Sequence, residues 1–341
     1  MIKHTHTEST ELNFSKLEKR IMQVNDPYFG KYNDIRQMLY KLITDNKPTL
    51  IMATGGSKVI AYYLQLIIER LTGIICEVIE PRDYFYKVNK DVFSNLIAIS
   101  ASGNTNGISE ALLNFKGNKY LITENMKDAN ALVVSWGNKL YDREKSFISL
   151  ATSLGPISLL LDSTTSLNLE LDSNEIKIIN YKIKELLLRS REKINRLNVN
   201  FKDTSLIQIM SGYETKTSLS VLESNLTEVG LAAPVIHDKG SYCHGRSNLL
   251  FQYPNSKIIY LSHELKELDH LLIGSINSEY SNIFVFDTFD LNDNIFWKEY
   301  YLILQMYFLS KKIAEDKSID LTQPEYNRVL VKGLYKFKGE M

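Results

Sequence analysis

The chain has 341 residues, 40 lysine and arginine residues balance 40 aspartate and glutamate residues, and 44% of the residues are hydrophobic. This apolar fraction is ordinary for a globular protein, and it excludes intrinsic disorder and collagen-like architectures. The lack of net charge removes the basic footprint that sequence-independent binding to nucleic acid or to an anionic membrane needs, so we expect neither partner.

The sequence carries no export or membrane signal. No apolar run approaches the ~18 residues of a membrane span, and the polar segment from Met1 to Thr10 lacks the apolar centre of a signal peptide. The two cysteines, Cys76 and Cys243, form neither a disulfide framework nor a zinc-binding spacing. We therefore expect a protein of the reducing cytoplasm that holds no metal and no cofactor.

In the first half of the chain, short apolar runs alternate with helical patterns. This alternation is typical of βαβ units and predicts a doubly wound parallel sheet. An N-terminal helical arm precedes it, over Leu12 to Asn46. The predicted strands are Thr49 to Ala53, Ile74 to Ile79, Leu96 to Ser100, Tyr120 to Thr123 and Leu132 to Ser135, and the predicted helices are Val59 to Leu71 and Thr105 to Phe115.

The second half repeats this pattern after a polar connecting helix, predicted over Ser166 to Asn198. An aromatic-rich helix, Phe296 to Ala314, follows, and its spacing predicts burial of one face. The predicted strands are Ser205 to Met210, Lys257 to Ser262 and Ile283 to Phe286, and the predicted helices are Thr215 to Glu228 and Glu264 to Leu272. The predicted boundaries are an arm at 1–46, a first domain at 47–165, the connecting helix at 166–200, and a second domain with a tail at 201–341.

Two loops of the first domain carry residues suited to an anion. Thr54-Gly55-Gly56-Ser57 follows the first strand, and the segment from Ser100 to Thr105 follows the third. Loops in this position offer free backbone N–H groups at a helix N-terminus, which favour negative charge. A cradle of glycine, serine and threonine without lysine suits a single phosphomonoester, whereas the lysine of a P-loop and the glycines of a dinucleotide fingerprint are missing. The alternative is a pair of ordinary turns with N-capping serine and threonine.

These loops resemble those of the sugar isomerase (SIS) family, whose Ser-x-Ser-Gly-x-Thr phosphate loop is similar to Ser100-Ala101-Ser102-Gly103-Asn104-Thr105. The resemblance implies two SIS domains, each a three-layer αβα sandwich with a mainly parallel, flavodoxin-like sheet. It also implies a sugar phosphate as ligand. The phosphate-binding positions it assigns are Gly56, Ser57, Ser100, Ser102, Gly103 and Thr105.

The second half is similar to the other domain of a tandem SIS protein, of the type found in the isomerase part of glucosamine-6-phosphate synthase. Residues 222–229 resemble the family's helix that ends in the catalytic carboxylate, which assigns that role to Glu228. Residues 240–245 resemble the loop of the ring-opening histidine, which assigns it to His244. In the tail, Gln323-Pro324 followed by Val331-Lys332 is similar to the family's Pro-x-x-Leu-x-Lys motif, a resemblance that assigns the imine-forming lysine to Lys332. Three departures from the family pattern, Asn104, Ser241 and Arg246, fall where the sugar hydroxyls or amine would lie.

Aldose–ketose chemistry requires these residue types. A carboxylate can move a proton between C1 and C2 through an enediol, and a histidine can open the hexose ring near neutral pH. A lysine with a lowered pKa can activate the C2 carbonyl as an imine. We expect a phosphosugar isomerase without a glutaminase domain, or one coupled to deamination or deglycation of an amino-sugar phosphate. The resemblance further implies a homodimer. The alternative is a sensor that binds sugar phosphates without turnover.

Overall fold

The computed structural model describes residues 32–87, 89–103, 105, 107–124, 130–135, 148, 150–165, 173–280 and 282–321. These residues form two parallel β-sheets covered by helices, an α/β fold of the doubly wound kind that the alternating pattern predicts. Most of the predicted N-terminal arm and the C-terminal tail, including Lys332, lie outside the described residues.

The first sheet has the strand order β2-β1-β3-β4-β5, and all its neighbouring strands run parallel. Ile51 of β1 lies between Val78 of β2 and Ile97 of β3. Strands β1 and β3 are buried along their whole length, because helices cover both faces of the sheet. The strands are β1 (Thr49–Met52), β2 (Cys76–Ile79), β3 (Asn95–Ile99), β4 (Asn118–Thr123) and β5 (Leu132–Ser135).

The helices associated with the first sheet are α1 (Tyr32–Asp45), α2 (Ser57–Thr72), α3 (Ile108–Asn114) and α4 (Ala151–Thr165). Gly73 caps the C-terminus of α2 with a left-handed backbone (φ 69°), and its N–H bonds back to the carbonyl of Glu69. Helices α1 and α2 both pack on α4. A single helical turn, Asp83–Tyr86, lies between β2 and β3.

The second sheet repeats this order with one strand fewer, as β7-β6-β8-β9. Ile209 of β6 lies between Ile236 of β7 and Ile259 of β8, again in parallel register. The strands are β6 (Leu206–Ser211), β7 (Ala233–Asp238), β8 (Lys257–Leu261) and β9 (Ile283–Phe286). The longer helices are α5 (Ser173–Asn195), α6 (Lys216–Glu228), α7 (Glu267–Glu279) and α8 (Ile295–Asp316), and single turns occupy Lys239–Tyr242 and Leu249–Gln252.

Strand β7 is absent from the sequence prediction. It contains Pro234, which cannot donate a backbone hydrogen bond, and it ends in the polar pair His237 and Asp238. Its position explains this composition, because β7 is an edge strand that pairs only with β6 and is half exposed. Helix α4 is also missing from the prediction, since its apolar residues show little helical periodicity.

Helix α8 joins the two halves. It packs on α4, α5 and α6, so side chains on all of its sides are buried, among them Phe296, Trp297, Tyr300 and Tyr301. The predicted one-sided burial of this helix is therefore wrong, and its aromatic content reflects a position between layers. One continuous apolar cluster includes strand residues of both sheets, such as Ile97 and Ile259. Within the described part of the chain, every helix falls short of the length or the apolar content that crossing a bilayer requires.

Candidate functional site

The first predicted loop leaves β1 and enters α2 at the carboxyl edge of the first sheet. Gly55 has a left-handed backbone (φ 54°), which suits a residue without a side chain. The N–H groups of Ser57 and Lys58 bond to the carbonyls of Thr54 and Gly55 at 3.3 and 2.9 Å, which closes the turn. Ser57, the first residue of α2, is half buried and lies where an anion would meet the helix N-terminus.

The second predicted loop leaves β3, the neighbour of β1. The hydroxyls of Ser100 and Thr105 are 2.7 Å apart and hydrogen-bonded, so the buried Ser100 braces the loop from within. The loop is also tied to β4, because Thr123 Oγ1 donates to the carbonyl of Ala101 at 3.1 Å. Ser102 is exposed at the tip, whereas Gly103 is buried. Asn104 lies outside the described residues.

These two loops lie on either side of the topological switch point of the first sheet, where successive strands are added on opposite sides of β1. Strands β1 and β3 are neighbours, while β2 lies on the far side of β1. In open α/β sheets, the crevice at this position is the usual ligand site. The sequence prediction that the two loops share one edge of one sheet is consistent with this arrangement.

Glu228, predicted as the catalytic carboxylate, ends α6 and lies beside the first loop. A Cβ atom on Gly55 would be 3.9 Å from Oε1 of Glu228. Helix α6 packs against α2, and this contact brings a residue of the second half to a loop of the first. The carboxylate accepts a hydrogen bond from Ser224 Oγ at 2.7 Å.

The surroundings of Glu228 affect its ionisation. Although the residue as a whole is exposed, partial desolvation of the carboxyl group raises its pKa above the ordinary value, and the nearby charge of Glu223 raises it further. The hydrogen bond from Ser224 acts in the opposite direction. A carboxyl group with a raised pKa is suited to accept and return a proton near neutral pH.

His244 lies in a loop at the carboxyl edge of the second sheet, just after the single-turn helix that follows β7. The side chain is exposed, and no hydrogen bond or ion pair joins it to Glu228 or to either phosphate loop within the described residues. The preceding residue, Cys243, is an exposed free thiol. Within the described residues, Glu228 therefore lies beside the first loop, whereas His244 makes no polar contact with either of them.

Sequence reasoning missed a lysine next to the first loop. Lys58 follows Ser57 directly, and its ammonium forms an ion pair with Glu80, just past the end of β2. Burial alone would lower the pKa of Lys58, but the hydrogen bond and charge of Glu80 raise it overall. The ammonium is therefore engaged with a carboxylate of the protein. The only signal in the sequence was that Lys58 directly follows Ser57. Its partner Glu80 follows a different strand, so the ion pair could not be predicted.

Lys332 and the tail motif lie outside the described residues, so the predicted imine-forming role stays a prediction. Among the residues that the structure describes, no group of three histidine, cysteine, aspartate or glutamate side chains is arranged to hold a metal ion. The described site therefore consists of two hydroxyl-bearing loops, the Glu228 carboxylate and the Lys58–Glu80 ion pair next to the first loop.

No protein-family model matches this sequence, and no curated protein matches it either. Solved structures, in contrast, match nearly the whole chain. The tagatose-6-phosphate ketose/aldose isomerase of Escherichia coli has a TM-score of 0.68 and 12% identity, with 94% of this chain and 95% of that chain covered.

Two further structures give similar values. The C-terminal domain of glucosamine-fructose-6-phosphate aminotransferase from Francisella tularensis has a TM-score of 0.66 and 16% identity, covering 94% of this chain and 98% of that one. Glucosamine-6-phosphate deaminase from Thermotoga maritima has a TM-score of 0.66 and 16% identity, covering 90% and 95%. The chain thus has the fold of phosphosugar isomerases and related enzymes, as predicted.

Proposed function

We propose that this protein binds a sugar phosphate at the carboxyl edge of its first sheet and interconverts its aldose and ketose forms. The phosphate would be held by the loops of Ser57 and Ser102, with Thr105 bracing the second loop. The sugar carbons would then extend towards Glu228.

The observation that carries this proposal is that the carboxylate of Glu228 lies beside Gly55 of the first loop. Phosphate-binding loops alone would serve a binding protein as well as an enzyme. A carboxylate with a raised pKa beside the same loop adds a proton acceptor. We assign to it the proton transfer between C1 and C2 of the bound sugar. The fold similarity to phosphosugar isomerases supports the same substrate class.

In the proposed reaction, the Glu228 carboxylate removes the proton from C2 of the ring-opened aldose phosphate, and the electron pair forms the C1–C2 double bond of an enediol. The protonated Glu228 then returns the proton to C1, while a proton moves from the C2 hydroxyl to the C1 oxygen. The net result is a ketose phosphate, with the protein unchanged. We assign ring opening to His244 and activation of the C2 carbonyl to Lys332.

The proposal also includes the oligomeric state, the substrate and the domain boundaries. The resemblance to tandem SIS proteins supports a homodimer, in which His244 of one subunit would complete the site of the other. An amino-sugar phosphate as substrate, with release of its amine, is supported by the similarity to a glucosamine-6-phosphate deaminase. The domain boundaries at 47–165 and 201–341 are proposed as well.

A two-stage experiment tests the function. A panel of fructose-6-phosphate, glucose-6-phosphate, glucosamine-6-phosphate and tagatose-6-phosphate is screened for a rise in melting temperature, with the unphosphorylated sugars as controls. The best ligand is then incubated in D2O and followed by NMR. Deuterium incorporation at C1 or C2, lost in Glu228→Gln, is the expected result. Binding without exchange would instead establish the sensor alternative, and no binding at all would refute the proposal.

A further inference from the structure

The carboxylate of Glu228 is fixed beside the first loop by one hydrogen bond. Its Oε1 atom accepts from Ser224 Oγ at 2.7 Å, and the same oxygen lies 3.9 Å from the position of a Cβ atom on Gly55. Within the described residues, this carboxylate has no other hydrogen bond and no ion pair. Oε2 is therefore the oxygen that is left to exchange a proton with a ligand.

The place of Glu228 at the end of α6 makes this hydrogen bond important. Glu228 is the last residue of the helix, and Gly230 follows with a left-handed backbone (φ 70°). The residue as a whole is exposed, and an exposed glutamate side chain samples several rotamers unless a partner fixes it. Ser224 lies one turn earlier on the same face, because residues four apart are neighbours on a helix. Its short hydroxyl can therefore select one rotamer of the carboxylate.

The charged groups around this carboxylate do not replace the hydrogen bond. Glu223 of the same helix repels the carboxylate of Glu228 and raises its pKa. Lys58 of α2 also lies near Glu223, but its ammonium is paired with the carboxylate that follows β2. Helix α8 faces this turn of α6 through an uncharged hydrogen bond, from Asn225 Nδ2 to Ser310 Oγ at 3.0 Å. The serine hydroxyl one turn earlier is thus the group that stabilises the ionised carboxylate.

We propose that Ser224 is a positioning residue, whose hydroxyl holds Oε1 of Glu228 against the first loop and leaves Oε2 to transfer the proton. This role rests on the proposed function, because it concerns the proton transfer assigned to Glu228. Without the hydroxyl, the carboxylate can rotate away from the sugar carbons, and small misplacements of a reacting group slow a reaction strongly. The hydrogen bond also favours the ionised form, so its loss raises the pKa of Glu228.

The ligand-free protein tests the hydrogen bond first. Glutamate is isotope-labelled at the side-chain carboxyl carbon, NMR follows the titration, and the Glu228 resonance is identified by its absence in Glu228→Gln. Ser224→Ala should move this titration to higher pH, whereas Ser224→Thr, which retains a hydroxyl, should leave it in place. Glu223→Gln should move it to lower pH, because a like charge is lost. An unchanged titration in Ser224→Ala would overturn the proposal, whether or not the protein converts a sugar phosphate.

Turnover of the best sugar phosphate then tests the positioning. Ser224→Ala should lower kcat about tenfold and change KM by less than about twofold, since the phosphate loops are untouched. Ser224→Thr should restore most of the rate. A shifted titration with an unchanged kcat would contradict the positioning role. If the titration shifts but the wild-type protein incorporates no deuterium into any sugar phosphate, the proposed function is wrong and the positioning role falls with it.

Ser220→Ala is the matched control. Ser220 is half buried on the same face of α6, one turn before Ser224, and its side chain makes no hydrogen bond in the part of the chain that the structure describes. Its substitution should change neither the titration of Glu228 nor kcat. Equal effects in Ser220→Ala and Ser224→Ala would show a general response of the helix and would overturn the proposal.

Discussion

Glu228 as a whole is exposed, but its carboxyl group is partly desolvated. This desolvation determines how the ionisation of the carboxyl group depends on pH. The pKa of Glu228 is raised first by burial and then by Glu223. A base must be ionised to accept a proton, so the reaction should slow as the pH falls through this raised pKa. The ionisation of Glu228 should therefore contribute to the acidic limb of the pH profile.

We predict that kcat/KM for the best substrate falls on the acidic side with a pKa above that of an ordinary glutamate. Glu228→Gln should reduce kcat by ~10²–10⁴-fold, the usual contribution of general acid–base catalysis, and should remove this residue's contribution to the acidic limb. Steady-state kinetics between pH 4 and pH 9 is the measurement.

Stability provides the control for this variant. A raised carboxyl pKa means that ionisation is less favourable in the folded state, so this residue's contribution to stability decreases as the pH rises through that pKa. Glu228→Gln should therefore keep or slightly raise the melting temperature at pH 7. A large loss of stability there would indicate a structural role and contradict the assignment.

Between elements, a buried carboxylate of α8 holds the start of α6 in place. Glu299 is fully buried, and its Oε1 accepts a hydrogen bond from the backbone N–H of Ser218 at 2.8 Å. Its Oε2 is 2.7 Å from Nε2 of His263, which follows β8. Glu299 thus caps α6 from a distant part of the chain, and α6 carries Glu228 at its other end.

Replacement of this carboxylate should be costly. We predict that Glu299→Ala lowers the free energy of unfolding by about 3–5 kcal/mol, because it leaves His263 and the Ser218 N–H without their partner in the protein interior. Urea denaturation monitored by circular dichroism measures the change. Glu192→Gln, at an exposed ion pair on α5, should change it by less than about 1 kcal/mol. Equal effects in the two variants would show that the buried cap contributes little.

For the whole molecule, the main feature is a core shared by both sheets. The apolar cluster that contains Ile97 of β3 also contains Ile259 of β8, and α8 lies within it. Tyr63 of α2 reinforces this connection, since its hydroxyl donates to the carbonyl of Phe296 at 3.0 Å. Neither half can open without exposing apolar surface of the other.

We predict a single thermal transition in which the calorimetric and van't Hoff enthalpies agree. Ile97→Val, a substitution in the first sheet, should cost about 1 kcal/mol and shift the entire transition to lower temperature. Differential scanning calorimetry at two scan rates checks both statements. Two resolved transitions, of which Ile97→Val moves only one, would mean that the halves unfold independently.

Much of the fold could be predicted from the sequence, because local periodicity reports which faces of a strand or helix are buried. Strands β5 and β9 have the predicted bounds, and the other predicted strands and helices differ mainly at their ends. The failures have physical causes. Strand β7 is an edge strand that contains proline, and α8 is surrounded by other layers, so neither shows the pattern of a half-buried element.

The sequence by itself determined the fold class, the two hydroxyl-bearing loops and the type of residue that their chemistry needs, since each depends on neighbours along the chain. Only the tertiary structure decided that Glu228 reaches Gly55, that Lys58 is paired with Glu80 and that Glu299 is buried as a cap. These contacts join residues far apart in the sequence. Their existence depends on how α6 and α8 pack between the sheets, and packing is a property of the complete fold.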